Sequence, residues 1–100
     1  MSGAALRRVI VRGRVQGVGF RAWLAQTAAA RGLAGWVRNR RDGAVEALLV
    51  GPSDAVTAMI ESCRQGPLFA GVTAVEASDA NASELDLRAP GQRFSVLPTA

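Results

Sequence analysis

A glycine-containing loop followed directly by an arginine is the stretch best suited to chemistry. Residues 11–21 read V-R-G-R-V-Q-G-V-G-F-R and lead from a β-branched segment into a run of helix-forming residues. Glycines let a backbone approach a ligand closely, and the free N–H groups at a helix start attract anions. The guanidinium of Arg21 adds a planar, permanent positive charge that matches phosphate oxygens. We therefore predict that this loop binds a phosphoryl group through six residues: Gln16, Gly17, Val18, Gly19, Phe20 and Arg21.

A second polar candidate, Asn39, lies just before the turn signal Asp42-Gly43. A neutral amide can accept a hydrogen bond from water and donate one to a phosphate oxygen, but asparagine is also a common turn residue. The residues alone leave both roles open for Asn39, just as Arg21 alone could be a helix-start arginine paired with a carboxylate. The sequence has no His and no Tyr. An enzyme of this sequence would therefore work without the commonest general base.

Composition and charge narrow the class of protein. The chain has 100 residues, 49% of them hydrophobic and 20% charged, which is typical of one globular domain, here 1–100. The net charge is +4 and all twelve basic residues are Arg, so an anionic partner fits, either a nucleic acid or a small phosphate. The first residues lack an apolar signal core, so we expect a cytoplasmic protein. Cys63 is the single cysteine, which excludes an internal disulfide and favours a buried apolar role.

The elements that must position these residues follow from hydrophobic periodicity. Leu6–Val15 predicts a strand, because Val9 and Val11 alternate with arginines. Ala22–Arg31 predicts a short helix that ends at a C-cap glycine, Gly32. The remaining predicted elements are strands over Gly35–Asn39, Ala44–Val50, Val72–Ala77 and Arg93–Leu97, and a helix that Ser53 caps and that ends before Gly66-Pro67.

This order predicts an α+β protein with ferredoxin-like architecture. The pattern is β-α-β-β-α-β with an extra C-terminal strand, in which two helices pack on one face of a mostly antiparallel sheet. Residues 78–92 are polar and rich in turn formers, and the sequence does not assign them a regular structure. The order of the strands in the sheet is likewise left open.

Two motifs are present, V-x-G-x-V-Q-G-V-x-F-R at residues 11–21 and G-W-V-x-N-x-x-x-G-x-V-x-x-x-x-x-G at residues 35–51. They resemble the signatures of the acylphosphatase family, and the resemblance runs from about residue 6 to residue 77, including the R-x-G-P stretch at Arg64. The last twenty residues match only loosely. The first signature is matched by Val11, Gly13, Val15, Gln16, Gly17, Val18, Phe20 and Arg21. The second signature is matched by Gly35, Trp36, Val37, Asn39, Gly43, Val45 and Gly51.

The resemblance implies hydrolysis of the carboxyl–phosphate anhydride of a small acyl phosphate by in-line attack of water. It implies that Arg21 binds the phosphate and that Asn39 positions the water, with no metal and no cofactor. The expected partners are the substrate and an inorganic phosphate or sulfate ion in the site. We expect no nucleic-acid or membrane partner, and we expect the protein to be a monomer.

Two other functions remain as alternatives. One is a nucleic-acid-binding module, which the scarcity of strand aromatics disfavours. The other is a non-catalytic phosphate-binding domain of the kind that opens larger carbamoyl-transferring proteins. For single residues, we expect Gln16 to orient the loop rather than act in catalysis, Asp42 to serve the turn, and Trp23 and Trp36 to pack.

Overall fold

The computed structural model describes residues 3–100 and confirms the predicted α+β class. Its elements are β1 (Ala4–Arg14), α1 (Phe20–Ala30), β2 (Ala34–Asn39), β3 (Val45–Pro52), α2 (Ser53–Cys63), β4 (Gly71–Asp79), a 3-10 helix (Ala82–Leu87) and β5 (Phe94–Val96). Each predicted strand and helix is present, with ends that differ by one to two residues in most cases. No helix in this part of the chain is long and apolar enough to cross a membrane.

The five strands form one sheet in the order β4-β1-β3-β2-β5. β1 pairs antiparallel with β3 and β4, and β2 pairs antiparallel with β3, while β5 adds in parallel to the outer edge of β2. Both helices contact the sheet, α1 over β2, β3 and β5, and α2 over β1, β3 and β4. This is the ferredoxin-like arrangement with an extra strand. It places the ends of β1 and β2 and the start of α1 at one end of the molecule.

The main core lies between the helices and the sheet. Val9 and Val11 from β1 face the same side as Val37 from β2, and all three are fully buried. Leu24 from α1 and Met59 from α2 pack on this layer, as their helical spacing predicts. Burial of each such side chain contributes about 1.5–3 kcal/mol. The helix that carries the candidate loop is therefore held firmly by its apolar face.

The opposite face of the sheet is also partly covered, which the sequence did not predict. Trp36 and Leu48 are fully buried on this side, and the Trp36 indole donates a hydrogen bond of 2.8 Å to the carbonyl oxygen of Glu84. Residues 82–87, which fall in the unassigned segment, form the 3-10 helix that provides this carbonyl. Within the unassigned stretch, residues 78–79 extend β4, and residues 82–87 cover β2 at Trp36.

The structure confirms the predicted cap of one helix and contradicts the predicted cap of the other. At the end of α1, Gly32 has φ +76° and its N–H donates to Ala29, while the Leu33 N–H donates to the Ala28 carbonyl. This hydrogen-bond pair is the predicted glycine C-cap, and Leu33 is buried behind it. The predicted Ser53 N-cap is wrong. Ser53 is already the first helical residue, because β3 stays extended through Pro52 (ψ 138°), which takes the N-cap position.

Candidate active site

The loop between β1 and α1 has the backbone shape that the two glycines predict. Gly17 and Gly19 have φ values of +74° and +81°, a left-handed region that side chains with a Cβ adopt only at a cost. The Gly19 carbonyl accepts the first helical hydrogen bond, 3.0 Å from the Trp23 nitrogen. The N–H groups of residues 19–22 therefore have no acceptor one turn earlier. They form the positive end of α1, and its first turn contains no acidic residue.

Arg21 lies in this first turn and is half-buried. Among residues 3–100, no carboxylate forms an ion pair with its guanidinium and no hydrogen bond engages it. A cation at the positive end of a helix is placed against the helix dipole. This geometry disfavours the alternative in which Arg21 only pairs with a carboxylate at the helix start.

Asn39 is the last residue of β2, and its side-chain oxygen lacks the hydrogen bond that a buried oxygen usually has. Oδ1 is buried and has no hydrogen-bond partner within the described part of the chain. The main chain of Asn39 is well held, because its carbonyl accepts the Ala100 N–H at 3.0 Å. A buried acceptor without a partner costs about 1–3 kcal/mol. Such a cost is common at sites where a water or ligand completes the hydrogen bonding.

Arg21 and Asn39 line the same cavity, whose volume is about 280 Å³. The structure thus brings the two predicted functional side chains together. Val96 of β5 also lines this cavity and is 52% exposed, a contribution that the sequence did not indicate because the partner of β5 was unknown. The residues around the cavity are Val15, Gly17, Gly19, Phe20, Arg21, Ala22, Asn39 and Val96.

Two of the six predicted loop residues point elsewhere. Val18 packs against the core. The Gln16 amide nitrogen donates to the carbonyl oxygens of Arg40 and Ala44, at 2.7 and 2.9 Å. The interpretation of Gln16 as a loop-orienting residue agrees with these contacts. A larger cavity of about 570 Å³ lies between the first residues of β1, α2 and the end of β4, and contains none of the predicted site residues.

The hairpin turn after Asn39 contains the carboxylate of Asp42. Its Oδ1 accepts the Ala44 N–H at 3.0 Å, and this hydrogen bond, together with the nearby Arg40 and Arg12 cations, lowers the pKa of Asp42. The carboxylate therefore stays ionised and closes the turn. A base should have a pKa close to the working pH, so this arrangement fits the structural role expected of Asp42.

The remaining side chains of interest serve packing. Cys63 is buried, and the desolvation raises the pKa of its thiol to about 12. The ring of Trp23 meets that of Phe20 edge-on at 5.2 Å, which braces the start of α1 beside the cavity. Trp36 lies beneath the guanidinium of Arg38, 4.6 Å from the ring centre.

Comparison with known proteins gives one consistent result. The acylphosphatase family model matches residues 7–95, so it extends well beyond the two signatures. An acylphosphatase of Rhodopseudomonas palustris strain BisB5 is 60% identical over 94% of this chain and 95% of its own length. The crystal structure of acylphosphatase from Bacillus subtilis superposes with a TM-score of 0.79 at 41% identity, covering 92% of this chain and 97% of that one.

A more distant structure shows the fold alone. Full-length HypF in the phosphate- and nucleotide-bound form superposes with a TM-score of 0.82 at 20% identity, and the match covers 99% of this chain but 12% of that protein. The same architecture therefore occurs within a much longer polypeptide. With the family model, the near full-length relatives and the shared fold in agreement, this chain belongs to the acylphosphatase family.

Proposed function

We propose that this acylphosphatase hydrolyses small acyl phosphates by holding the phosphoryl group in the 280 Å³ cavity between the 16–21 loop and Asn39. One observation carries the proposal: the unpaired guanidinium of Arg21 and the unpartnered Oδ1 of Asn39 line one cavity. The guanidinium can bind an anion, and the amide oxygen can accept a hydrogen bond from a donor such as water. The acyl phosphate supplies the anion, and the solvent supplies the nucleophile.

The phosphoryl group is held by positive potential from two sources. The loop and first-turn N–H groups converge at the start of α1, and the guanidinium of Arg21 adds two parallel donors. Negative charge spreads over the phosphoryl oxygens in the transition state of phosphoryl transfer. Preorganised donors around these oxygens therefore lower the barrier without covalent chemistry or a metal.

Asn39 orients the attacking water. Its Oδ1 accepts a hydrogen bond from the water, and its amide group can donate to a phosphoryl oxygen, which fixes an in-line approach. The water oxygen forms a bond to phosphorus while the bond from phosphorus to the acyl oxygen breaks, and its electron pair leaves with the carboxylate. A phosphoryl oxygen of the substrate takes the proton from water. A carboxylate leaves without prior protonation, so the absence of histidine is compatible with this route.

The proposal extends to the oligomeric state, the location and the partners of the protein. The chain acts as a single domain and a monomer in the cytoplasm, without nucleic acid or membrane, and inorganic phosphate or sulfate competes for the cavity. The burial of Trp36 supports the absence of nucleic acid, because a base cannot stack on it.

The test is phosphate release from acetyl phosphate in the presence of a chelator, with inorganic phosphate as the competitor. We expect steady turnover and competitive inhibition. In Asn39→Ala, kcat should fall by roughly 10²- to 10³-fold, as for other lost transition-state hydrogen bonds. Phosphate should still bind, with an inhibition constant that rises by no more than about tenfold, because one hydrogen bond contributes about 0.5–1.5 kcal/mol. A requirement for added divalent metal, or an Asn39→Ala protein that loses phosphate affinity but keeps kcat, would contradict the mechanism.

A further inference from the structure

The side chain of Gln16 connects the two halves of the candidate site. Gln16 is a loop residue, and its amide nitrogen donates to the carbonyl oxygens of Arg40 and Ala44 at 2.7 and 2.9 Å. These two carbonyls close the turn that directly follows Asn39. No other hydrogen bond joins residues 15–19 to residues 39–44 in the part of the chain that is described.

The hydrogen bonds from Gln16 use the carbonyl lone pairs that the turn's own hydrogen bonds leave free. The Ala44 carbonyl also accepts the Arg40 N–H at 2.8 Å, and the Arg40 carbonyl also accepts the Gly43 N–H at 3.1 Å. Each carbonyl oxygen therefore uses both lone pairs, one for the turn and one for Gln16. The position of the turn is in this way tied directly to the position of the phosphate loop.

Such a tie matters because β1 and β2 are not neighbours in the sheet. β3 lies between them, and its Val45 pairs with Val11 of β1 and with Asn39 of β2. These ladders set the spacing of the strands, but they do not reach the loop that follows β1 or the turn that follows β2. The side chain of Asn39 is not held by a hydrogen bond to Oδ1, since that atom has no partner in the described part of the chain. Its aim depends on the backbone, and Gln16 holds this backbone relative to the loop.

We propose that Gln16 is a positioning residue that sets the separation between the phosphate loop and Asn39, and hence the angle at which water meets the phosphorus. This inference rests on the proposed function. Gln16 does not line the cavity, so it acts through Asn39 and not on the substrate.

The experiment is a double-mutant cycle of Gln16→Met and Asn39→Ala, with acetyl phosphate as substrate and inorganic phosphate as inhibitor. Met keeps the length of the side chain but has no N–H donor. We expect Gln16→Met to lower kcat by about 10- to 100-fold, as a small misplacement of reacting groups does, and to leave the phosphate inhibition constant nearly unchanged. In the Asn39→Ala background the same substitution should change kcat by no more than about twofold.

Two further variants separate positioning from folding. Thr27→Val is a matched control, since it removes another hydrogen bond from a side chain to a carbonyl, 2.7 Å to Trp23, on the middle of α1; it should leave kcat unchanged. Gln16→Asn keeps the amide but is one methylene shorter, so it should give an intermediate kcat if Gln16→Met does not fold.

Several outcomes would overturn the inference. They are an undiminished kcat in folded Gln16→Met, an equal loss of kcat with and without Asn39, or a phosphate inhibition constant that rises in step with the loss. A wild-type protein without turnover would refute the proposed function and the inference with it. Normal wild-type turnover with an unaffected Gln16→Met would refute the inference alone.

Discussion

Replacement of Arg21 by Gln should abolish most of the activity while making the protein slightly more stable. The guanidinium lies in the first turn of α1 and has no ion-pair or hydrogen-bond partner in residues 3–100, so its removal breaks no polar contact there. Gln and Arg have similar helix propensities. A positive charge near a helix N-terminus is unfavourable by about 0.3–1 kcal/mol. The free energy of unfolding should therefore rise by about that amount.

The loss of activity follows from the hydrogen bonds that Arg21 offers to the phosphoryl group. Each bond to a charged partner contributes about 1.5–3 kcal/mol, so a two-pronged contact gives about 3–6 kcal/mol. At about 1.4 kcal/mol for each factor of ten, kcat/KM should drop roughly 10²- to 10⁴-fold. Phosphate at a hundred times its Kd should stabilise the wild type by about 2.7 kcal/mol, and this stabilisation should largely disappear in Arg21→Gln.

The matched control is Arg31→Gln at the other end of the same helix. Arg31 is the C-cap residue, where a cation is favourable, and its Nη1 lies 3.7 Å from the Met59 sulfur. Its replacement should lower the stability and leave kcat/KM unchanged. The measurements are denaturant unfolding with and without phosphate, and acyl phosphate turnover. A strongly destabilised Arg21→Gln, or one that retains wild-type kcat/KM, would refute the reasoning.

Three other perturbations have definite expected outcomes. Gly19→Ala and Gly91→Ala both add a Cβ to a left-handed glycine facing open space (φ +81° and +79°), so each should cost about 1–2 kcal/mol in unfolding assays, but only Gly19→Ala should reduce turnover. Cys63, whose thiol pKa is raised to about 12 by burial, should resist alkylation of the native protein up to pH 9 and react only in denaturant; rapid native labelling would show that α2 opens. Val96→Asp should raise KM roughly tenfold by placing a charge like that of the substrate on the cavity wall, about 1.4 kcal/mol, whereas an unchanged KM, with Val96→Thr as the neutral comparison, would exclude Val96 from the binding surface.

The sequence predicts local features of this protein better than distant ones. The alternation of Val9 and Val11 and the glycine after α1 each depend on interactions within a single element, and the structure agrees with both predictions. The Ser53 cap was wrong because the conformation of the preceding residue decides which position starts the helix, and Pro52 remains extended. A preference for capping is weaker than a strand that continues through the cap position.

Features that depend on pairing between remote segments could not be read from the sequence. β5 adds in parallel to β2, with Val96 opposite Val37, and this pairing alone places Val96 at the cavity. The 82–87 helix gives little periodic signal, yet its Glu84 carbonyl satisfies the buried indole of Trp36. The residue type of Asn39 left a turn role and a water-binding role open, and only the family signature favoured the second.

The distribution of ion pairs explains how an arginine-rich protein can concentrate its attraction for anions. Near the turn, Arg38 pairs with Glu46 at 2.8 Å, and Arg40 lies 3.4 Å from Asp42. Paired charges exert a weak field beyond a Debye length of about 8–10 Å in physiological salt. Six of the twelve arginines form no ion pair within residues 3–100, and of these six only Arg21 lines the cavity, beside the positive end of α1. A small dianion that enters the cavity therefore meets an unpaired cation and the positive end of a helix together. This charge pattern fits the small phosphoryl group that the proposed function requires.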